Sequence, residues 1–576
     1  MYRKKCVLAI TLILFCSICL GSIFSLESVL SLGEGEGVKI WAFYYHAYRG
    51  ERNEFFALKN FDDRPINITG WKITDFDGIL LLPNITLAAN TTLFVAEDDG
   101  DFYTSMGFHP DYCYEELESS KGNFKLSNEG DEIALYTKDG CLVDCVVYGD
   151  GNGSLCPSTP LPNIPAGKYY VRCGNSWKAM GIGWSDFSPI AAEANITLFC
   201  SPDCAYDVLI SQIAKANESI YLCSYLMTNN DIARALAEKA AMGVYVVVLL
   251  EGNPVGGVCE EEIYCIKEMM NKGVRVYMMV EDDDKYVYDT YRFIHAKYCI
   301  IDNETVVISS ENFVHSGYPM KGYNGNRGWG VVIYSSEIAR YLVNVFLHDC
   351  NPVLDCVIIP DISNILGGEA GEYHGNYSGK FSAVTAHGNV TLCVAPDNAN
   401  RAILTLLRNA TREVLAEVYY IKNWSTGYNP YVEELFNASK RGCKVRLILD
   451  GKYEGNYEFC RYIEAVADRN GLDIEARLYD GDCLKIHNKG LVVDDNVVIS
   501  SINWHENSPT ENREVLVIIR GSGCAEYFKE VFYDDWKSSK RVEVSQSPYL
   551  DTGTIAMIII ALVIAIILVL IIARVP

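Results

Sequence analysis

One constraint dominates this chain: the same segment occurs twice, with its spacing kept to within one residue. The first copy reads His295-Ala-Lys297-Tyr-Cys-Ile-Ile-Asp302 and leads to Ser309-Ser310-Glu-Asn312. The second reads His487-Asn-Lys489-Gly-Leu-Val-Val-Asp494 and leads to Ser500-Ser501-Ile-Asn503, one residue shorter in its turn. The flanks repeat as well, since the stretch from Asn195 to Asp203 mirrors that from Asn389 to Asp397. Each is followed by a helical stretch (208–217; 402–411), a strand (219–225; 413–420) and a second helix and strand (232–248; 432–449). This alternation predicts one α/β unit built twice.

Within each copy, a short β-branched run ending in Asp-Asn or Asp-Asp-Asn reads as a strand entering a turn. Residues two apart on a strand share a face. His295 and Lys297 therefore point one way, as do His487 and Lys489. Asp302 and Asp494 fall on the opposite face or in the turn and are expected to be structural. The return strands bring Ser310 with Asn312, and Ser501 with Asn503, back beside the histidine and lysine. Lysine supplies a compact positive charge and asparagine a neutral donor, both suited to phosphate oxygens. Histidine can be base, nucleophile or acid near neutrality. Two of them allow one to attack phosphorus while the other protonates the leaving oxygen, with the roles exchanged when water breaks the phosphohistidine. This chemistry calls for no metal and no cofactor.

The pattern H-x-K-x4-D with a downstream [GS]-S-x-N resembles the phospholipase D superfamily, and two copies resemble its tandem members. The resemblance implies two α/β halves about a pseudo-twofold axis, with both motifs in one cleft. It also implies a carboxylate shortly after the asparagine that orients a catalytic histidine. Glu514, in Asn512-Arg513-Glu514, stands where that group is expected, while the first half has Gly328 in Asn326-Arg327-Gly328. In tandem relatives this carboxylate can serve the opposite half, so Glu514 is expected to orient His295 as nucleophile and leave His487 as general acid. The first half is then expected to lack its carboxylate, which leaves open a slow or decayed site.

Residues 1–26 open with Arg3-Lys4-Lys5 before an apolar run and read as a signal peptide. Residues 554–573 form an unbroken apolar run, about the 20 residues a membrane-spanning helix needs. A body lying outside the cell membrane, single-pass and facing the extracellular side, is the expectation. Glycosylation sequons agree, among them Asn67, Asn84, Asn90, Asn217, Asn376, Asn409 and Asn437. Cysteine usage also agrees, because removal of Cys6, Cys16 and Cys19 leaves an even number. The near neighbours Cys141/Cys145, Cys200/Cys204, Cys259/Cys265 and Cys350/Cys356 invite local bridges, whereas Cys223 and Cys299 sit on apolar strands as buried thiols.

Between the signal and the repeat, short alternating runs separated by Asp, Asn and Gly turns predict a β-sandwich over 38–150. The stretch Asn53 to Asn60, Gly70-Trp71, Leu126 to Asp131 and Val143-Asp144 resemble the lamin-tail domain, an immunoglobulin-like fold. That resemblance implies binding or positioning and carries no catalytic residue. Residues 151–192 read as a linker, part of which Trp177 and Trp184 mark as packed down, 193–350 as the first half, 351–386 as a second linker and 387–541 as the second half.

The net charge of −25 argues against a long duplex as substrate. Lys297, Lys489, Arg513 and Arg327, with Lys485 and Arg292 nearby, predict a locally positive cleft able to hold a single strand or a phosphate head group. The acidic runs at 260–262 and 282–284 read as solvated loops. Three functions stay open: a membrane-anchored extracellular nuclease, a phospholipase D or transphosphatidylase acting on lipid head groups, and a surface scaffold with a decayed site.

Overall fold

The computed structural model describes residues 37–542, apart from 49, 155, 157, 281–289 and 364–365. The signal-like segment 1–26, the apolar run 554–573 and the acidic run 282–284 lie outside the described residues. Among the described residues, no helix is long and apolar enough to cross a membrane.

The alternating runs near the amino end form the expected two-layer β-structure, with one six-stranded and one five-stranded sheet. Phe43, Phe56, Ile73, Val95, Ile133, Leu135 and Tyr148 fill the space between them. The expected linker 151–192 is partly strand instead. Lys168–Cys173 and Ser176–Gly181 form a hairpin that pairs onto Val38–Tyr44, with Ala42 opposite Val171. The reason is period-two patterning hidden among Pro and Gly. Tyr170 enters the core of the sandwich, while Tyr169 and Val171 pack on its other face.

The expected local disulfides are also corrected. Cys145 is bonded to Cys156, and Cys141, Cys200, Cys204, Cys259, Cys265, Cys350 and Cys356 are unbridged. After the strand Leu142–Gly149 the chain doubles back through Gly149, at φ 58°, so that Leu161 donates to Val147 and residue 156 comes beside 145. The Cys200 and Cys204 thiols instead donate to Asp203 and to the Cys200 carbonyl. Cys223 and Cys299 are buried, as their apolar strands suggest.

The two repeats share one 16-stranded sheet. At its centre, Ile190–Ser201 of the first half runs antiparallel to Val384–Ala395 of the second. Glu193 pairs with Asn389, and Asn195 with His387. The repeat that equates Asn195 with Asn389 maps one of these pairs onto the other, so exchanging the halves leaves the register unchanged. This is a pseudo-twofold axis read from hydrogen bonding. Outward from the centre, each half repeats one order: Gly328–Tyr334, Thr305–Ser309, Tyr298–Ile301, Ser219–Ser224 and Tyr245–Glu251 in the first. Glu514–Arg520, Asn496–Ser500, Lys489–Val493, Glu413–Val418 and Lys444–Asp450 are their counterparts in the second.

Helices cover the sheet at equivalent places. Asn230–Ala241 and Pro430–Lys440 are both N-capped by asparagine, Asn229 and Asn429, whose side-chain oxygens accept from the first-turn amides. The acidic run at 260–262 is not a loop but the first turn of Glu260–Asn271, where carboxylates suit the helix dipole. Glu262 is fully buried and accepts from the Met227 amide at 2.8 Å.

Candidate active site

Each motif histidine is held by the opposite half. The His295 amide donates to the Arg513 carbonyl at 2.9 Å, and the Arg513 amide to the Phe293 carbonyl at 2.9 Å. Symmetrically, the His487 amide donates to the Arg327 carbonyl at 3.0 Å, and the Arg327 amide to the Lys485 carbonyl at 2.9 Å. Buried carboxylates fix the approaching strands: Glu251 accepts from the Ile294 amide at 2.7 Å and Asp450 from the Ile486 amide at 2.9 Å. This cross-over brings the motifs together, and Lys297 of the first half is among the cations that lower His487.

His295 Nδ1 lies 2.8 Å from Glu514 Oε2, the cross-half contact expected from the sequence. Glu514 is fully buried and also accepts from Ser501 Oγ at 2.5 Å, from Asn512 Nδ2 at 3.2 Å and from Ser508 Oγ. The expectation that the first half lacks a carboxylate is overturned. Glu311, buried between Ser310 and Asn312, places Oε1 3.2 Å from His487 Nδ1 and accepts from Asn326 Nδ2 at 3.0 Å. Gly328 makes room for it, because a Cβ there would fall 2.4 Å from Glu311 Oε1 and 2.5 Å from its Cγ. The second half inverts the arrangement, with Ile502 at the position of Glu311 and Glu514 at the position of Gly328. The available signal was an acidic residue inside an otherwise small and apolar motif.

Lys297 Nζ donates to the His295 carbonyl and Lys489 Nζ to the His487 carbonyl, so each lysine is pinned beside its histidine with donors to spare. The side-chain oxygens of Asn312 and Asn503 are buried without a hydrogen-bond partner among the described residues. Aromatic rings wall the cleft: Tyr225 lies 5.0 Å from the His295 ring and 5.6 Å from Lys297 Nζ. Tyr419 lies 5.1 Å from the His487 ring and 5.4 Å from Lys489 Nζ.

Other expected site residues are structural. Ser310 and Ser501 are fully buried: Ser310 Oγ accepts from the Trp329 amide at 3.1 Å, and Ser501 braces Glu514. Asp302, at φ 54°, accepts from the amides of Asn217, Glu218 and Ser219. Asp494, at φ 55°, accepts from those of Thr411, Arg412 and Glu413. Both tie the motif turn to the adjoining helix–strand connection. Arg513 and Arg327 were expected to make the cleft positive, yet both are buried in ion pairs. Arg513 meets Asp349 at 2.8 Å and Asp397 at 3.4 Å, and Arg327 meets Asp203 at 2.6 Å and Asp535 at 2.7 Å. The side chains of these arginines serve the interior while their backbones hold the histidines. The sandwich reaches the site too, through Lys168, which pairs at 2.9 Å with Glu511, itself 3.2 Å from Arg292.

The two histidine–carboxylate pairs differ in proton affinity. Burial lowers His295 to about 4, against the pull of Glu514. Burial would raise Glu514, but His295, Lys297 and Ser501 outweigh it and hold the carboxyl below its usual value. Burial raises Glu311 to about 7, although Lys489 and Asn326 oppose it. His487 is pushed well down by burial and by Lys489 and Lys485. Burial also lowers Lys297 to about 8. Among the described residues, no cluster of His, Cys, Asp and Glu is arranged to hold a metal ion.

The family model described as the cardiolipin synthase PLD-like domain matches residues 209–350 and 403–536, and that of the Lamin Tail Domain matches residues 34–150. No curated protein matches the chain. Among solved structures, a phosphatidylserine synthase from Haemophilus influenzae Rd KW20 aligns over 65% of this chain and 94% of its own, at 18% identity and a TM-score of 0.45. Nuc, a phospholipase D family member from Salmonella typhimurium, aligns over 26% of this chain and 95% of its own, at 24% identity and a TM-score of 0.23. A polyphosphate kinase from Porphyromonas gingivalis aligns over 90% of this chain and 78% of its own, at 12% identity and a TM-score of 0.39.

Proposed function

We propose that this chain, whose two halves match the PLD-like domain model and whose amino-terminal part matches the Lamin Tail Domain, is a phosphodiesterase of the phospholipase D superfamily, and specifically a membrane-anchored extracellular nuclease working through a phosphohistidine. The observation that carries the mechanism is the unequal pair of cross-half carboxylates. Above pH about 4 the His295–Glu514 pair is a neutral imidazole on a carboxylate. Its Nδ1–H donates to Glu514 and leaves the Nε2 lone pair for phosphorus. Up to pH about 7 the His487–Glu311 pair retains a proton. A protonated Glu311 donates to Nδ1 of His487, which leaves a proton on Nε2 for the leaving oxygen. Environments that push like groups apart in this way divide a site into base and acid.

The reaction then follows by balance. Nε2 of His295 attacks phosphorus, the ester P–O bond breaks, and the departing alkoxide takes the Nε2 proton of His487. His487, now a base, removes a proton from water; the hydroxide cleaves the P–N bond, and a phosphomonoester leaves. Lys297, Lys489, Asn312 and Asn503 hold the non-bridging oxygens, whose charge grows as the bond to His295 forms. Glu311 removes the one reason to read the site as decayed.

Nucleic acid is favoured over a lipid head group by what surrounds the histidines. Tyr225, Tyr419 and Lys485 are rings and a cation suited to a nucleotide chain, with Lys485 Nζ 5.0 Å from the Tyr419 ring. The exterior placement is supported by sequons at Asn67, Asn84, Asn217, Asn376 and Asn409, all on exposed residues. The hairpin that extends the sandwich sheet meets the Glu511 loop through Lys168, so the sandwich helps to position the site.

The test offers the full-length protein, in EDTA, labelled single-stranded oligonucleotide and phospholipid vesicles side by side, with His295→Ala as control. Oligonucleotide cleavage that the substitution abolishes is expected. Head-group release alone would replace the nuclease by a lipid enzyme whose anchor serves substrate access, and complete loss in EDTA would remove the phosphohistidine scheme.

A further inference from the structure

Among the described residues, the second half carries a group of stacked rings that has no counterpart at the equivalent positions of the first. Tyr420 lies 4.6 Å from Tyr453 with the planes 18° apart, and 5.5 Å from His505 with the planes 8° apart. All three are partly accessible. The group adjoins the cleft: Tyr420 lies 5.1 Å from Tyr419, which itself lies 5.1 Å from His487. On the other side, the His505 amide donates to the Asn503 carbonyl at 3.0 Å.

The repeat shows what the fold alone would place at these positions. The strands Ser219–Ser224 and Glu413–Val418 equate Leu226 with Tyr420. The motif equates Val314 with His505, and the ends of Tyr245–Glu251 and Lys444–Asp450 equate Pro254 with Tyr453. The first half thus builds the same turns with an aliphatic residue or a proline each time. Three changes to a ring, on three separate segments that meet in space, are not required by packing. Burial lowers His505 to about 4, so its ring is uncharged at neutral pH and serves as a flat face.

We propose that Tyr420, Tyr453 and His505 form a stacking subsite for unpaired nucleobases beside the scissile phosphate, on the second-half side. This deepens the nuclease reading and rests on it. A partly exposed run of near-parallel rings matches the π-face of any base, so the subsite is sequence-tolerant. It requires a single strand, because bases in a duplex already cover one another. Lys422 Nζ, 5.6 Å from the Tyr420 ring, supplies a cation beside the same rings for the strand's phosphates. A lipid head group has no planar group to place there.

The test uses the full-length His295→Ala protein, which binds without cleaving, and fluorescence anisotropy with labelled single-stranded DNA carrying one abasic residue at successive positions. An abasic residue at one or two adjacent positions next to the scissile phosphate is expected to weaken binding on the order of ten- to a hundredfold. Tyr420→Leu and Tyr453→Leu should produce the same loss with the intact strand and no further loss with the abasic one. Tyr453→Phe, which keeps the ring, should bind as before and guards against misfolding. Equal affinity for every abasic strand, or an undiminished abasic penalty in Tyr420→Leu, would overturn the subsite. Failure of the unsubstituted protein to cleave any oligonucleotide would remove the nuclease reading and the subsite together. Cleavage that is insensitive to these changes removes the subsite alone.

Discussion

Gly328 exists so that Glu311 can: a Cβ on Gly328 would sit 2.4 Å from the Glu311 carboxylate oxygen, inside contact distance. That carboxylate bonds His487 of the other half at 3.2 Å. The first half is therefore complete, with its acid moved from the strand start to the motif. Gly328→Ala should displace Glu311 and lower kcat on the order of a hundredfold, the low end of what an oriented acid–base group contributes. The double change Gly328→Glu with Glu311→Ile, which copies the second half, should recover much of the loss. Steady-state kinetics of the three proteins check this, and a fully active Gly328→Ala would sink it.

Unequal proton affinities assign the covalent step to His295. With a phosphodiester whose leaving group needs no protonation, His487→Ala should accumulate a phosphohistidine on His295, whereas His295→Ala should form none. Glu514→Gln should slow its formation on the order of a hundredfold by leaving the imidazole in the wrong tautomer. Mass spectrometry of acid-labile phosphate on the two histidine peptides reads the outcome, and label on His487 would reverse the roles.

The pH profile of kcat/KM should be bell-shaped and low-lying. Protonation of His295, at about 4, removes the nucleophile and sets the acid limb. Loss of the proton from the Glu311–His487 pair near 7, followed by Lys297 near 8, sets the basic limb. Activity should thus persist at pH 5, below the ordinary histidine value. A profile whose acid limb lies at 6.5 would contradict the burial of His295.

Arg327 and Arg513 hold the interior together rather than the substrate. Replacing either by Met leaves two carboxylates buried without their cation, Asp203 with Asp535 or Asp349 with Asp397. Each change should cost about 3–5 kcal/mol of stability. Denaturant unfolding should show that loss, and KM for oligonucleotide in the protein that remains folded should change little. A rise in KM at unchanged stability would return these arginines to the cleft.

Much of this was legible in the chain itself, because local patterns carry it. Period-two alternation gave the sandwich strands, the duplicated segments gave two like α/β halves, and strand parity put His295 beside Lys297 and His487 beside Lys489. The turn positions of Asp302 and Asp494 followed from the same parity. Tertiary structure decided what depends on residues far apart. The meeting of His295 with Glu514 across 219 positions is expected from the resemblance to tandem relatives, whereas that of His487 with Glu311 across 176 has no local signature. Glu311 went unread as a partner because its role exists only where the halves cross, in the space Gly328 vacates. Arg327 and Arg513 looked like cleft cations because charge is visible in sequence and burial is not. The hairpin 168–181 and the Cys145–Cys156 bond were likewise settled by where the chain folds back. The sequence determined the paired histidines, lysines and asparagines of the site, since residue type and strand period are local. The meeting of the two halves determined which group serves which, since proton affinity and orientation belong to contacts and burial.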